Sequence, residues 1–362
     1  MKKIIICLSI CLTIITGSLT NISASTTIDN SYNKLVAYYE SKTSASRDDI
    51  IAMEAIGVQA DSKANLDFLE NDFSTAGIND LSKAILASIF VGKDPTNINN
   101  QNLVTLLENY ISDDGKLMDG EYECYESYYP WTIYALYAVN SSKVELLASR
   151  LASLQKEDGS FGGFSGSLDL DTTTWCLEAL SLVDKTKYSS NINKTKDLLA
   201  THLDTTTNTY TSSWGANSNT HAACLEALVV NDRNLVNDES YNKTVEALTA
   251  YQTTTGSFKW KVDSANDSSF STQDAARCLG AYKNGCFATI AKEAYQKLTN
   301  KETPVTNPSV NVPTNQNSNS SPKEAVLSAK TSDNQEYDIY LLSLIIMGAV
   351  IIRLVSKHEK TN

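Results

Sequence analysis

An alanine recurs six times through the middle of the chain, each time within the same short pattern. The six copies are Ala55, Ala87, Ala135, Ala179, Ala227 and Ala281. An apolar residue stands two positions before every copy, and a small residue stands three positions before it. Small side chains at a fixed place on a helix allow neighbouring helices to approach closely. The repeat therefore predicts six helices that pack through the same face.

Three of the small residues in this pattern are cysteines, namely Cys176, Cys224 and Cys278. Alanine or threonine holds the equivalent position in the other copies, so we interpret the cysteines as small apolar fillers. The chain has no C-x-x-C spacing, and its cysteines outside the N-terminal segment are odd in number. This pattern disfavours a disulfide or zinc framework, and no metal site is predicted.

A second helix is predicted ahead of each alanine-bearing helix. These helices cover about 30–42, 64–72, 100–111, 142–155, 192–203 and 240–252. Segments 155–161 and 252–258 then read Q-x3-G-x-F, and 111–117 and 204–210 are weaker versions of the same turn. The Gly or Asn supplies the left-handed residue that ends a helix, and the aromatic or leucine packs back.

The Q-x3-G-x-F turn is similar to the QW repeat of squalene and oxidosqualene cyclases, with Phe in place of Trp. A helical hairpin repeated six times resembles the toroid shared by terpenoid cyclases, protein prenyltransferase β subunits and cobalamin carriers. The resemblance covers residues 30–300. It implies an all-α fold, specifically an α6/α6 toroid in which the second helix of each hairpin lines the inside.

Eight positions before each repeated alanine stands a polar residue: Arg47, Asn79, Ser127, Asp171, Asn219 and Gln273. Two interpretations remain open. These residues and their neighbours can cap helix N-termini, where Ser, Thr, Asp and Asn are favoured. Alternatively, a toroid gathers the six N-termini at one mouth, where free N–H groups favour a polar or anionic ligand. The candidate ligand-binding residues are then Asn79, Tyr128, Asp171, Thr172, Asn219, His221 and Gln273.

Segment 169–173, Asp-Leu-Asp-Thr-Thr, resembles the DxDD motif of class II terpene cyclases. If the chain is an enzyme, this resemblance implies that Asp171 is the general acid and that Asp169 assists it. Thr172 stands where the motif has another aspartate. Protein prenyltransferases bind zinc through an Asp-x-Cys pair, but here Thr173 takes the place of that cysteine.

Two segments resemble bacterial surface proteins related to transcobalamin and intrinsic factor. They are 80–87 together with 92–97, and Leu-Asp-Thr-Thr at 170–173. This resemblance implies cobalamin as a possible cofactor. In those carriers a β domain follows the toroid, whereas here a polar segment follows residue 300.

The two ends of the chain predict export and tethering. Residues 1–25 read as a signal peptide, with Lys2 and Lys3 ahead of an apolar run. Residues 301–336 are rich in Asn, Ser, Pro and Thr and predict a disordered linker. Residues 337–356 predict a C-terminal transmembrane anchor, and 357–362 a basic cytoplasmic tail. No LPxTG motif is present, so retained tethering at the outer face of a Gram-positive cell is favoured over sortase cleavage.

The net charge of −12 argues against nucleic acid as a partner. Our leading hypothesis is a non-catalytic binding module for a small-molecule or cell-surface ligand, whether a cobalamin-like cofactor, an isoprenoid or a glycan. The enzyme alternative is a terpene cyclase-like activity that uses Asp171. A third possibility is a structural or adhesive protein whose cavity is plugged by side chains.

Overall fold

The computed structural model describes residues 26–163 and 168–300. Within them the chain forms twelve α-helices, which confirms the all-α prediction. The helices are α1 (26–41), α2 (Arg47–Ala55), α3 (Ile78–Phe90), α4 (Leu103–Glu108), α5 (Tyr129–Ala138), α6 (Val144–Ser153), α7 (Leu170–Asp184), α8 (Ser189–Thr201), α9 (Ser218–Asn231), α10 (Glu239–Leu248), α11 (Ser269–Lys283) and α12 (Phe287–Thr299).

Five short strands lie in the connections between helices. They are β1 (Met118–Asp119), β2 (Tyr122–Glu123), β3 (Leu203–Asp204), β4 (Thr209–Ser212) and β5 (Gly215–Ala216). β1 pairs with β2, and β4 lies between β3 and β5, with all pairings antiparallel. The hairpin formed by β4 and β5 carries Trp214 at its tip.

The six alanine-bearing helices close into a ring. Each of α2, α3, α5, α7 and α9 contacts the next of them along the chain, and α11 returns to contact α2. The repeated alanines are all buried, as are the three cysteines of the same pattern. Their small side chains allow this close packing between neighbouring helices.

One predicted outer helix, 64–72, is absent from the structure. Only a 3₁₀ turn forms there, at Asp67–Glu70. Asn65 accepts a hydrogen bond from the backbone N–H of Asp67, and Asp72 accepts one from that of Ser74. Such local side-chain bonds compete with helical hydrogen bonds, so this segment is held as two tight turns.

The two Q-x3-G-x-F turns connect the outer helix α6 to α8 and the outer helix α10 to α1. Gln155 Nε2 donates to the carbonyl of Gly159 and, across the interface, to that of Asn191 on α8. Gln252 Nε2 donates in the same way to Gly256 and to Ser31 on α1. The turns are therefore the joints of the outer layer.

Both glycines of these turns are required by geometry. Gly159 and Gly256 have φ angles of +87° and +98°, a left-handed conformation that side chains disfavour. A Cβ at Gly159 would collide with the carbonyl oxygen of Lys194, and one at Gly256 with that of Lys34. Each glycine thus lets its turn touch the backbone of the following outer helix.

The inner helices all point the same way. A cavity at one end of the ring is lined by residues from their N-terminal halves, and a second, of ≈490 Å³, by the C-terminal ends of α7, α9 and α11. α12 contacts α2, α3, α5 and α11 and crosses this far end. Its Phe287 packs against Trp131 and Tyr134, with ring centroids 5.8 and 5.2 Å apart. α12 therefore occupies the far end of the ring beside the second cavity, and the first cavity opens at the N-terminal mouth.

The predicted signal peptide (1–25), linker (301–336), transmembrane anchor (337–356) and tail (357–362) lie outside the described residues. Among the helices that the structure describes, none has the length and apolar character needed to cross a membrane.

Candidate functional site

The open cavity at the N-terminal mouth has a volume of ≈630 Å³ and is lined by all six inner helices or the loops ahead of them. This volume falls within the range of sites that hold a small ligand. Every tryptophan of the chain lies on its wall: Trp131, Trp175, Trp214 and Trp260. Phe270 adds a fifth aromatic ring.

The aromatic side chains divide into a floor and a rim. Trp131 is buried in the floor, 8% exposed. Trp214, Trp260 and Phe270 stand at the rim, 72%, 40% and 69% exposed. Large aromatic surfaces are rarely left in water without a purpose when they cluster at a concave site. The rim therefore offers flat apolar faces to a ligand that enters the mouth.

Two ion pairs flank the floor. Lys83 Nζ lies 2.7 Å from Asp48, and Arg277 Nη2 lies 2.6 Å from Asp274, which also accepts a 2.6 Å hydrogen bond from Asn219. Lys83 Nζ and the Arg277 guanidinium carbon are also 4.8 and 5.4 Å from the centroid of Trp131. These cation–π contacts fix the indole ring between α3 and α11.

Asp171 lines the same cavity without a cationic partner among the described residues. Its Oδ1 atom is closed off from solvent and accepts no hydrogen bond from them. Burial raises the pKa of Asp171 to about 7, a hydrogen bond from Thr220 opposes the rise, and the negative charges of Asp169 and Asp274 add to it. At neutral pH both the protonated and the ionised form of this carboxyl are therefore populated.

Trp175 follows Asp171 by four residues on α7, so the two side chains share one face of the helix. The Nε1–H of Trp175 is buried and has no acceptor among the described residues. One helical face thus carries an unused acceptor and an unused donor at the cavity wall. Unsatisfied polar atoms of this kind are uncommon in protein interiors and call for an explanation.

A buried acidic cluster lies deeper in the ring. Glu226 Oε2 is 3.6 Å from Arg277 Nε, and Glu178 Oε1 accepts a 3.4 Å contact from the Cys286 thiol. Burial raises the pKa of both glutamates, and the guanidinium of Arg277 opposes the rise. Because one arginine serves Asp274 and both glutamates, the ring interior carries more acid than base.

The structure separates the residues that the sequence pattern grouped. Asp171, Asn219 and Gln273 line the cavity, whereas Asn79, Tyr128, Thr172 and His221 are not part of its wall. Asn79 keeps a buried Oδ1 without a partner among the described residues. Tyr128 ends a 3₁₀ turn beside α5.

The capping and ligand interpretations apply to different residues. Asp169 caps α7 and accepts a 2.6 Å hydrogen bond from the Thr172 hydroxyl, while Asn217 caps α9. Asp171 and Asn219 therefore lie inside the first helical turn, and their side chains are free to reach the cavity. Asp169, the second candidate catalytic residue, is engaged as a cap and does not line the cavity.

His221 is a structural residue. It is fully buried, its Nδ1 accepts a hydrogen bond from the backbone N–H of Tyr210, and its Nε2 lies 3.0 Å from the Thr244 carbonyl. Burial lowers the pKa of His221 to about 4, so the ring is neutral at pH 7. Tyr129 and Thr173 make the equivalent bond to the turns at Leu117 and Phe161. All three stand six positions before a repeated alanine.

Sequence reasoning missed Lys83 and Arg277, although the repeat contains the signal for them. Four positions before the repeated alanines stand Lys83, Trp131, Trp175 and Arg277, one helical turn below the polar residues at eight positions before. Directly before two of the repeated alanines, Ala179 and Ala227, stand Glu178 and Glu226. This spacing marks a single face of each inner helix, the one that points to the ring axis.

Neither a family model nor a curated protein matches this chain. Within the described residues, no three His, Cys, Asp or Glu side chains are grouped so as to hold a metal ion.

Proposed function

We propose that the ring is an α/α toroid akin to that of the terpenoid cyclases, and that its mouth binds a sugar chain at the cell surface without transforming it. The observation that carries this proposal is the convergence of all four tryptophans on one polar cavity. A pyranose ring has apolar C–H faces and a polar edge of hydroxyl groups. Indole faces suit the former, and the side chains of Asn219, Gln273 and Asp274 suit the latter.

The other two ligand classes fit this lining less well. An isoprenoid chain would leave the charges of Asp48, Lys83, Asp274 and Arg277 against hydrocarbon, which is costly without water. Cobalamin meets the same charges, and no residue of the cavity wall is a histidine that could ligate its cobalt. If the signal peptide, linker and anchor predicted from the sequence are correct, such a module would lie outside the cell, where glycans are abundant.

The enzyme alternative rests on Asp171. A carboxyl whose pKa is raised to about 7 by burial can act as a general acid at neutral pH. In the cyclase reading it would protonate an alkene or epoxide in an apolar chamber. The open, charged cavity gives a carbocation no such protection, which is why binding is the preferred proposal. The purely structural alternative requires a plugged ring, and the mouth cavity of ≈630 Å³ favours a ligand instead.

Intrinsic fluorescence tests the proposal directly, because every tryptophan reports on the cavity. We expect an N-acetylglucosamine hexamer to change the emission of the full chain in a saturable way. Trp214→Ala should weaken this binding about tenfold or more, since stacked aromatic side chains of a binding site each contribute on the order of 1–3 kcal/mol.

The matched control is Tyr122→Ala, which removes an equally exposed aromatic residue (79%) that does not line the cavity. It should leave binding unchanged. Saturable binding of cyanocobalamin or farnesol, with none of the hexamer, would replace the glycan by that ligand class. Turnover of an isoprenoid that Asp171→Asn abolishes would establish the cyclase alternative.

A further inference from the structure

The cavity wall carries three carboxyl groups, and two of them are already neutralised. Asp48 is paired with Lys83 at 2.7 Å, and Asp274 with Arg277 at 2.6 Å. Asp171 is the third, and no lysine or arginine of the described residues forms an ion pair with it. The site therefore has one acidic position that the protein itself leaves without a counter-charge.

The surroundings of Asp171 increase this deficit of positive charge. The charged groups that act on it are Asp169 on its own helix and Asp274 on α11, both acidic, while α9 presents the neutral Thr220. Arg277 is engaged by Asp274 and by buried Glu226. This cation is therefore already shared among other carboxyl groups.

We infer that the sugar chain bound in the mouth carries a free amino group, and that its ammonium docks at the carboxylate of Asp171 beside Trp175. This inference rests on the proposed glycan function and narrows it to aminosugars that lack an N-acetyl group. An ammonium supplies the missing positive charge and three hydrogen-bond donors. Indole faces attract cations as well as C–H groups. The aromatic wall can therefore bind both the C–H face of an aminosugar and its ammonium group.

Two hexamers that differ only in acetylation test the inference. A β-1,4-linked glucosamine hexamer should bind the full chain at pH 7 about tenfold or more tightly than the N-acetylglucosamine hexamer, because a charge-assisted hydrogen bond contributes on the order of 1.5–3 kcal/mol. Asp171→Asn should abolish this preference, so that the two hexamers bind the variant with similar affinity. Raising the salt concentration should reduce the preference in the natural protein.

The matched control is Asp169→Asn, which removes the same charge two residues away but keeps a good helix cap. It should retain most of the preference for the amine. Equal or tighter binding of the N-acetylated hexamer by the natural protein would overturn the amine inference and leave the glycan proposal standing. Failure of both hexamers to bind would overturn the glycan proposal as well. The natural protein alone decides between these results, whether or not either variant folds.

Discussion

The turns of the outer layer and the mouth of the ring treat polar side chains in opposite ways. At the turns, Gln155 Nε2 has three acceptors within hydrogen-bond distance: the Gly159 and Asn191 carbonyls and the Thr195 hydroxyl. At the mouth, Asp171 Oδ1 and Trp175 Nε1 are buried with no partner among the described residues. Satisfied polar groups specify a structure, whereas unsatisfied ones lower stability and persist where a function needs them. The difference divides the molecule into joints and a site.

The largest effect on stability is expected for Arg277→Met, at the mouth of the ring. The change leaves Asp274, Glu226 and Glu178 without their shared cation inside the ring, and we expect a loss of about 3–5 kcal/mol in the free energy of unfolding. Denaturant unfolding at pH 8 measures it. Arg150→Met is the control, because its ion pair with Glu123 is partly exposed and should contribute only about 1 kcal/mol. Comparable losses in the two variants would contradict the view that Arg277 is the shared counter-charge of the buried acidic cluster.

A second consequence concerns pH. The folded protein holds a proton on Asp171 up to about pH 7, whereas the unfolded chain releases it near the ordinary pKa of 3.8. The contribution of Asp171 to the free energy of unfolding should therefore be largest below about pH 4, fall as the pH rises toward 7, and level off above it. The contribution of Asp171 is on the order of 4 kcal/mol.

Asp171→Asn should flatten that part of the profile, and at pH 8 the variant should be more stable than the natural protein. Asp169→Asn should keep the decline with pH. A variant at position 171 that retained the full decline would assign it to Glu178 and Glu226 instead.

The joints are tested by Gly159→Ala. The left-handed backbone and the collision with the Lys194 carbonyl should together cost about 2–3 kcal/mol of unfolding free energy. Gly92→Ala is the matched control, since Gly92 also has a positive φ of +69° but no atom within 4 Å of a new Cβ. It should cost about 1 kcal/mol. Because both glycines have a positive φ, the difference between the two losses in unfolding free energy measures the cost of the collision with the Lys194 carbonyl.

The smallest effect on stability is expected at the rim. Trp214 is 72% exposed, so Trp214→Ala should change the free energy of unfolding by no more than about 0.5 kcal/mol. The same variant should lose ligand affinity, as proposed above. A large loss of stability would show that the rim is part of the fold and would blur the division between joints and site.

The fold could be predicted from the sequence because its features recur in several copies of the repeat. Residues of the candidate site were missed because each occurs in only one copy. The buried alanines and the turns at Gly159 and Gly256 recur in register, so their common geometry follows from comparison of the copies. Lys83 and Arg277 each occur once, in a register that two other copies fill with tryptophan and the remaining two with Ile51 and Ala223. A charged residue on an inner helix resembles a surface residue until the ring shows which face points inward.

His221 shows a second limit of the sequence pattern. A lone histidine near a row of polar residues suggested a ligand contact, but the turn it supports became visible only from the hydrogen bond to Tyr210. The helix predicted at 64–72 does not form, for a local reason. The side chains of Asn65 and Asp72 accept hydrogen bonds from backbone N–H groups two residues later. Composition alone cannot weigh these bonds against helix formation.

The hydrogen bond from Gln252 to Ser31 joins parts of the chain that are 221 positions apart in sequence. Gln273 and Asp49, with 224 positions between them, make a second such link at 3.2 Å. Neither link can form during synthesis until almost the whole ring has been made. The first helices therefore gain these contacts only after the last helices have been synthesised. Contacts this distant slow folding, because a long loop must close before they stabilise anything. Once closed, the ring holds its first helix to the turn at 252–258 by the same contacts that hold α8 to the turn at 155–161.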